Sequence, residues 1–331
     1  MNFPSSASER PDRRRQGAGR RWYYHGWNTP LSWKLILRIT PRLPRLVLVP
    51  LHHLTSLVFF ICMPRERGAA RRNLRRITGK TGLANLRLAY RLFWNFSRFL
   101  VAYTEIKDLD LDRFRDRMIG ADEIEEDLRR ILAEGRGMII VTMHLGHWDL
   151  GLKHLTAFRR PVHLVMRNED PEEIACFTAE ARRFPDLRVH QTGDDPLLAV
   201  ELMLALKRGE IVAIQADRPV GKNVLPTPLF GARTPLPTGP IQLAMATGAP
   251  LVPAFIPFDR GRRYRPLLLP PLRLNRPRRG EEERALREGM LLMARVMESV
   301  ASLYPDQWFN FYDIWPEPGT PASGMNETGG A

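Results

Sequence analysis

The distribution of apolar and polar positions changes character part of the way along the chain. Leu46 to Pro64 (LVLVPLHHLTSLVFFICMP) is a stretch of 19 residues without a formal charge, bracketed by Arg42 and Arg45 before it and Arg65 and Arg67 after it. Arg67 to Thr78 then reads as a strongly basic helix. From Leu83 to Thr104 the residues Leu86, Tyr90, Phe93, Phe96, Leu100 and Tyr103 recur at helical spacing, and the aromatic content predicts a packed core face. Beyond Gly120 the pattern alternates between periods. Helices are predicted at Ala121–Ala133, Trp148–Phe158, Pro171–Arg183, Pro196–Lys207, Gly239–Ala246 and Glu281–Leu303. Strands are predicted at Met138–Val141, Val162–Met166, Leu187–His190, Ile211–Ile214, Leu251–Phe255 and Tyr264–Leu269. Such alternation predicts an α/β fold, a mostly parallel central sheet flanked by helices, preceded by an N-terminal membrane-associated helical segment.

One strand ends differently from the others. In GMIIVTMHLGHWDL, Gly137 to Leu150, a β-branched apolar run stops at a cluster of polar and titratable residues: Thr142, His144, His147 and Asp149. In open α/β sheets the crevice beyond the carboxyl ends of the strands is where ligands bind. His144 and Asp149 stand five apart, which on a continuous helix would turn them about 140° away from each other. They meet only if the chain turns between them, and Gly146 permits a turn. An imidazole with a carboxylate on its other ring nitrogen activates a hydroxyl. No serine or cysteine lies in the stretch, so the hydroxyl is expected on the substrate. Backbone N–H groups at the helix start, those of Gly146 and His147, are the expected oxyanion donors. His190 and Asp195 share the five-residue spacing, but in HQTGDDP, a turn-rich loop, and are set aside as a chance match.

Two other predicted strand ends finish in polar residues. Arg167 follows HLVM, and Asp217 and Arg218 follow IVAIQA. In a parallel sheet these face the same crevice as His144, and with Arg182 they are candidates to hold a substrate's charged or polar groups.

The formal charge of +14 raises nucleic acid as a partner until its location is seen. Residues 1–80 carry 17 of the 50 basic side chains but 3 of the 36 acidic ones, so the whole excess lies there and the remainder is balanced. A nucleic-acid partner is therefore not expected, whereas an anionic membrane surface is. The uncharged 19-residue stretch is long enough for a bilayer span, but Pro50 and the His52/His53 pair suit an interfacial or re-entrant helix equally well. Leu31 to Ile39, with Trp27 and Trp33, adds an expected interfacial anchor. The expected organisation is a disordered basic arm (1–20), a membrane-associated segment (21–80), a catalytic domain (81–315) and a disordered tail (316–331). Cys62 and Cys176 are far apart and imply neither a disulfide framework nor a metal site. No glycine fingerprint for a nucleotide is present, and no cofactor is expected.

Taken together, these residues resemble a known family. HLGHWD after an apolar strand is similar to the motif of the lysophospholipid acyltransferase superfamily, and within it of the lipid A biosynthesis (lauroyl and myristoyl) acyltransferases: a strand, then H-x-G-x-W-[DE]. Further matches are ARRNL at Ala70 to Leu74, Arg167 with Asn168, the acidic turn at Asp217, PLFGARTPLPTGPIQLAMATGAPLVPAF from Pro228, and PDQWFNFYDIW from Pro305. The resemblance implies a glycerolipid acyltransferase-like fold on the cytoplasmic face of the inner membrane. It implies transfer of a fatty acyl chain from acyl carrier protein or coenzyme A to a hydroxyl of a glycolipid, in lipid A biosynthesis. His144 takes the family's base position, Asp149 that of its partner, and Arg182 falls near an arginine that follows the motif. Family members often carry Asn where this chain has His147, and FYDIW replaces the usual basic ending. Acceptors of a related branch, phosphatidylinositol mannosides and aryl-polyene lipids, stay open, as do a lysophospholipid acceptor, a thioesterase and a membrane-tethered binding protein of the same fold.

Overall fold

The computed structural model describes residues 45–105, 115–167, 186–192, 197–219, 223–261 and 263–315. The arm at 1–20, the Leu31 to Ile39 segment, the Pro171–Arg183 helix with Arg182, Asn168, Asp195 and the tail from Pro316 lie outside them.

The described residues open with three helices, α1 (Arg45–Cys62), α2 (Pro64–Thr78) and α3 (Gly82–Glu105). An alternating body follows: α4 (Ala121–Leu132), β1 (Met138–Thr142), α5 (Trp148–Leu155, extended by a 3-10 turn at Thr156–Phe158), β2 (Val162–Arg167), β3 (Leu187–Thr192), α6 (Leu198–Lys207) and β4 (Ile211–Gln215). Then come β5 (Val224–Leu229), β6 (Ala232–Pro237), α7 (Gly239–Thr247), β7 (Leu251–Phe255), β8 (Leu267–Leu268), α8 (Glu282–Leu303) and a 3-10 turn at Pro305–Gln307.

Six strands form one sheet in the order β3-β2-β4-β1-β7-β8. The pairings are parallel except that between β7 and the two-residue β8. Strand β1 lies inside, bonded to β4 and β7, and both its faces are buried, as its uninterrupted apolar run requires. The period-2 alternation divides its side chains between two clusters. Ile139 and Val141 join Met290, Met293 and Met297 of α8 and Ile241 and Ala244 of α7 on one face. Met138 and Ile140 join Leu128, Ile131 and Leu132 of α4 and Leu152 and Leu155 of α5 on the other. A third cluster, rich in rings, unites Leu92, Phe93 and Phe99 of α3 with Phe309 and Phe311 near the chain's end.

Two elements depart from the sequence expectation. The strand expected at Tyr264–Leu269 shrinks to Leu267–Leu268, with Tyr264 making only isolated bridges to Met118 and Phe258. The β5–β6 hairpin was not anticipated: Pro226, Pro228, Pro235 and Pro237 all lie in it. A two-stranded ribbon has only edges, where prolines are tolerated. Its turn, with positive φ at both Phe230 and Gly231, has the twist that hairpins favour.

The basic α2 is fastened largely to the protein itself. Arg72 makes two hydrogen bonds with Asp313, Arg71 reaches Asn85, and Arg76 bonds the Phe230 carbonyl beneath the Trp315 ring. Asn73, within ARRNL, is buried; its amide donates to the carbonyls of Asn310 and Tyr312 while its oxygen accepts from the Ile314 N–H. Among the described residues no helix is long and apolar enough to cross a membrane. On α1, Val47, Leu51, Leu54, Val58 and Ile61 nevertheless recur every three or four residues along one exposed side, with Leu57 beside them, while Phe59 and Phe60 pack inward against α3.

Candidate active site

Register assembles the crevice at the carboxyl end of β1. Thr142 is the partner of Gln215 across the β1–β4 pair, and the ladder runs one step further, the Ala216 N–H donating to the Thr142 carbonyl at 3.0 Å. Two residues past Thr142 stands His144; two past Gln215 stands Asp217. They therefore emerge side by side, and Nδ1 of His144 lies 2.7 Å from Oδ1 of Asp217. The other carboxylate oxygen accepts from the His144 backbone N–H at 3.1 Å and from the Trp308 indole N–H at 2.8 Å. The Asp217 side chain has no exposed surface, while that of His144 keeps 18%.

This corrects the pairing expected from spacing. Asp149 is buried in the first turn of α5, where a helix start favours a carboxylate, but it is Asp217 that holds Nδ1. Burial by itself would raise the Asp217 carboxyl; the imidazole of His144, then Arg218 and the Trp308 N–H, outweigh it and leave it below the usual carboxylate range. An ionised Asp217 accepts from the ring, so Nδ1 carries the hydrogen and Nε2 keeps its lone pair.

Gly146 turns the chain as required, with a φ of 65°, and a second constraint excludes any side chain there. A Cβ at this position would sit 2.2 Å from the Ile256 carbonyl oxygen. The oxyanion expectation fails at the same place. The Gly146 N–H donates to the Gln307 carbonyl at 3.0 Å, and the His147 N–H to the Ile256 carbonyl at 2.8 Å. Both donors are consumed in fixing the loop to Ile256, just past β7, and to Gln307.

The remaining candidates have different placements. His147 is fully buried among Phe99, Phe258 and Tyr264, and burial pushes its imidazole down to about 3. It is a neutral core residue and not a second base facing the crevice. Arg218, expected to meet substrate, donates to the Phe309 carbonyl at 2.8 Å and lies over the Tyr312 ring. Arg167 ends β2, two residues past Val165, whose partner is Ile214, so its backbone reaches the carboxyl edge beside the Asp217 segment. Arg182 lies outside the described residues. Among the described residues, the ligand atoms close enough together to share a metal come from His163 of β2, His190 of β3 and Glu201 of α6, away from this crevice.

Sequence reasoning assigned no site role to Trp308, Gln307 or Phe309. Gln307 bonds both the N–H and the carbonyl of Phe258, and the Phe309 N–H donates to the His144 carbonyl at 2.8 Å. The block PDQWFNFYDIW thus holds His144, Gly146 and Asp217 together from the far end of the chain. Its rings also continue a wall that starts at α1: Phe60 meets Phe93, Phe93 meets Phe311, Phe311 meets Phe96, and Phe96 meets Phe99. Phe99 stacks on Trp148 at 4.3 Å between ring centroids, and Trp148 meets the His144 ring edge-on at 5.2 Å.

Fold and site together define an α/β protein with a partly exposed histidine and a buried aspartate at the carboxyl end of an inner parallel strand. The model of the bacterial lipid A biosynthesis acyltransferase family matches residues 27–316, and the chain belongs to this family. Among characterised proteins it is similar to a phosphatidylinositol mannoside acyltransferase of Mycobacterium tuberculosis, 27% identical over 179 residues, 52% of each chain. It is also similar to a phosphatidylinositol mannoside acyltransferase of Mycolicibacterium smegmatis, 29% identical over 199 residues, 57% of this chain and 62% of the other. The matched regions thus cover between about half and three fifths of the length of these curated relatives.

Proposed function

We propose that this chain is a membrane-surface O-acyltransferase that moves a fatty acyl group from a carrier thioester, acyl carrier protein or coenzyme A, to a hydroxyl of a glycolipid. The observation that carries the proposal is the 2.7 Å contact between Nδ1 of the partly exposed His144 and the buried Asp217, in a chain of this family. Nε2 of His144 takes the proton of the acceptor hydroxyl, and the oxygen attacks the thioester carbonyl. Asp217 holds the ring and stabilises the imidazolium. Collapse of the tetrahedral adduct breaks the C–S bond, and Nε2 returns its proton to the departing thiolate.

Two features support a lipid environment. The exposed apolar side of α1 suits shallow burial in a bilayer's headgroup region, beside an N-terminal portion whose positive charge favours anionic lipid. The rings from Phe60 to Trp148, with Phe93, Phe99 and Phe311 buried among them, form a continuous apolar layer between that helix and His144. On this proposal the protein works at the inner membrane with the site on the cytoplasmic side.

The family's name points to a lipid A acceptor, and the names of the relatives to a phosphatidylinositol mannoside. Mass spectrometry of total lipids from cells with and without the protein, with His144→Ala as control, decides between them. The expected result is one lipid that gains a single acyl chain only with the intact protein. An unchanged lipid profile, with free fatty acid released from the carrier thioester in vitro, would mean that water and not a lipid is the acceptor.

A further inference from the structure

A second histidine cluster lies away from the crevice. His163 is register partner of Val212, which is also partner of Ile139, so His163 sits level with the amino-terminal half of β1. It has no exposed surface. Its Nδ1 is 2.8 Å from Nε2 of His190 on β3, the two rings being nearly parallel, 12° apart. Its Nε2 is 2.7 Å from Oε2 of Glu210, whose carboxylate is itself gripped by Nε and Nη2 of Arg208 at 2.7 and 3.0 Å. On the other side of His190, Nδ1 lies 3.7 Å from the Glu201 carboxylate of α6.

We propose that His163, His190 and Glu201 form a binding site for one divalent transition-metal ion of the zinc class. One ligand atom from each lies within 4.8 Å of the other two. The outer groups are those such a site requires. A ligating histidine usually donates its other ring N–H to a carboxylate, which fixes the tautomer. Glu210 does this for His163, and it directs the lone pair of Nδ1 towards His190. Imidazole and carboxylate are the ligand types that zinc takes, with water completing the tetrahedron.

Without an ion, a single hydrogen on Nε2 of His190 bridges the two rings. Metal binding replaces that hydrogen, which moves to Nδ1 of the same ring or leaves as a proton. The two nitrogens then part from 2.8 Å to the roughly 3.3 Å expected of two ligands about 2.05 Å from a tetrahedral ion. Glu201, its side chain 53% exposed, has room to swing in. The ion would tie β3, the edge strand among the described residues, to β2 and to α6.

The test uses the full-length protein, stripped with chelator and free of any histidine tag, titrated with Co2+. The expected result is one equivalent bound with the strong d–d absorption of four-coordinate Co2+, displaced by Zn2+, together with a Zn2+-dependent rise in Tm. His190→Ala and Glu201→Gln, both at the rim of the cluster, should each weaken Co2+ binding at least tenfold, whereas His144→Ala and a His52→Ala/His53→Ala double variant should not. Failure of the wild-type protein to take up Co2+ at micromolar concentration would overturn the proposal. Unchanged affinity in His190→Ala would overturn it equally and leave a hydrogen-bonded histidine pair.

Discussion

Asp217 reaches Nδ1 of His144 across 73 positions of sequence because Thr142 and Gln215 face each other in neighbouring parallel strands. A general base held in this way loses most of its use when either partner is changed. Asp217→Asn should lower kcat for acyl transfer by about 10²-fold or more with the fold intact, comparable to His144→Ala. Asp149→Asn, buried in the first turn of α5, should act mainly on stability and cost kcat far less. Steady-state kinetics alongside circular dichroism makes the comparison, and a larger kcat loss in Asp149→Asn would return the role to that residue.

Trp308 donates its indole N–H to the same carboxylate. Trp308→Phe keeps most of the packing and removes one donor to a buried charge, a loss of roughly 1–3 kcal/mol. The expected outcome is a several-fold fall in kcat with KM little changed, together with a lower denaturant midpoint. Unaltered kinetics would show that Asp217 is held adequately by its other contacts.

Gly146→Ala should be among the most damaging single-methyl changes in the protein. The added Cβ meets the Ile256 carbonyl oxygen at 2.2 Å on a backbone whose φ is already positive. The loss should lie well above the ~1 kcal/mol of an average substitution, read as a fall in Tm or as insoluble expression.

His147 adds a pH dependence. Its imidazole titrates at about 3 when folded and near 6.5 when unfolded, so below about pH 6.5 the unfolded chain binds a proton that the folded one does not. Stability therefore falls with acidification through that window, by ~2 kcal/mol between pH 7 and pH 5 from this residue alone. Denaturant titrations at the two pH values should show that decrement in the wild type and most of it absent in His147→Leu.

The exposed side of α1 gives a prediction that leaves the fold untouched. Leu54 and Ile61 are 58% and 59% exposed, so Leu54→Asp/Ile61→Asp disturbs little packing. If these residues enter a bilayer, each contributes up to ~1.5–3 kcal/mol of apolar burial. The double variant should then bind anionic vesicles at least tenfold more weakly in a sedimentation assay. Equal binding would detach α1 from the membrane.

What could be read from sequence, and what could not, follows from how far each signal travels along the chain. The strand Met138–Thr142, the turn at Gly146 and the long helix α8 are local patterns, and each appears where the periodicity puts it. The partner of His144 is not local. Spacing pointed to Asp149, five residues on, whereas the sheet order β4-β1 delivers Asp217, and no linear pattern contains strand order. His190 lies in β3 as the strand predicted at Leu187–His190 has it, but that it meets His163 depends on strand pairing, which no local pattern holds. The β5–β6 hairpin escaped notice because its prolines speak against a strand wherever neighbours are expected on both sides. The oxyanion assignment to Gly146 and His147 failed because carbonyls of Gln307 and Ile256, contributed from distant segments, had already taken those donors.

The contacts of Gln307, Trp308 and Phe309 also set an order in time. The ribosome delivers His144 long before it delivers the residues that bond the Gly146 N–H, the Asp217 carboxylate and the His144 carbonyl. Until this stretch has emerged and docked, the carboxylate lacks its indole donor and the Gly146 N–H its carbonyl acceptor, although the His147 N–H can already meet the Ile256 carbonyl. A chain that has made its sheet but not yet docked this stretch therefore carries the His144–Asp217 pair without the contacts that hold it in place.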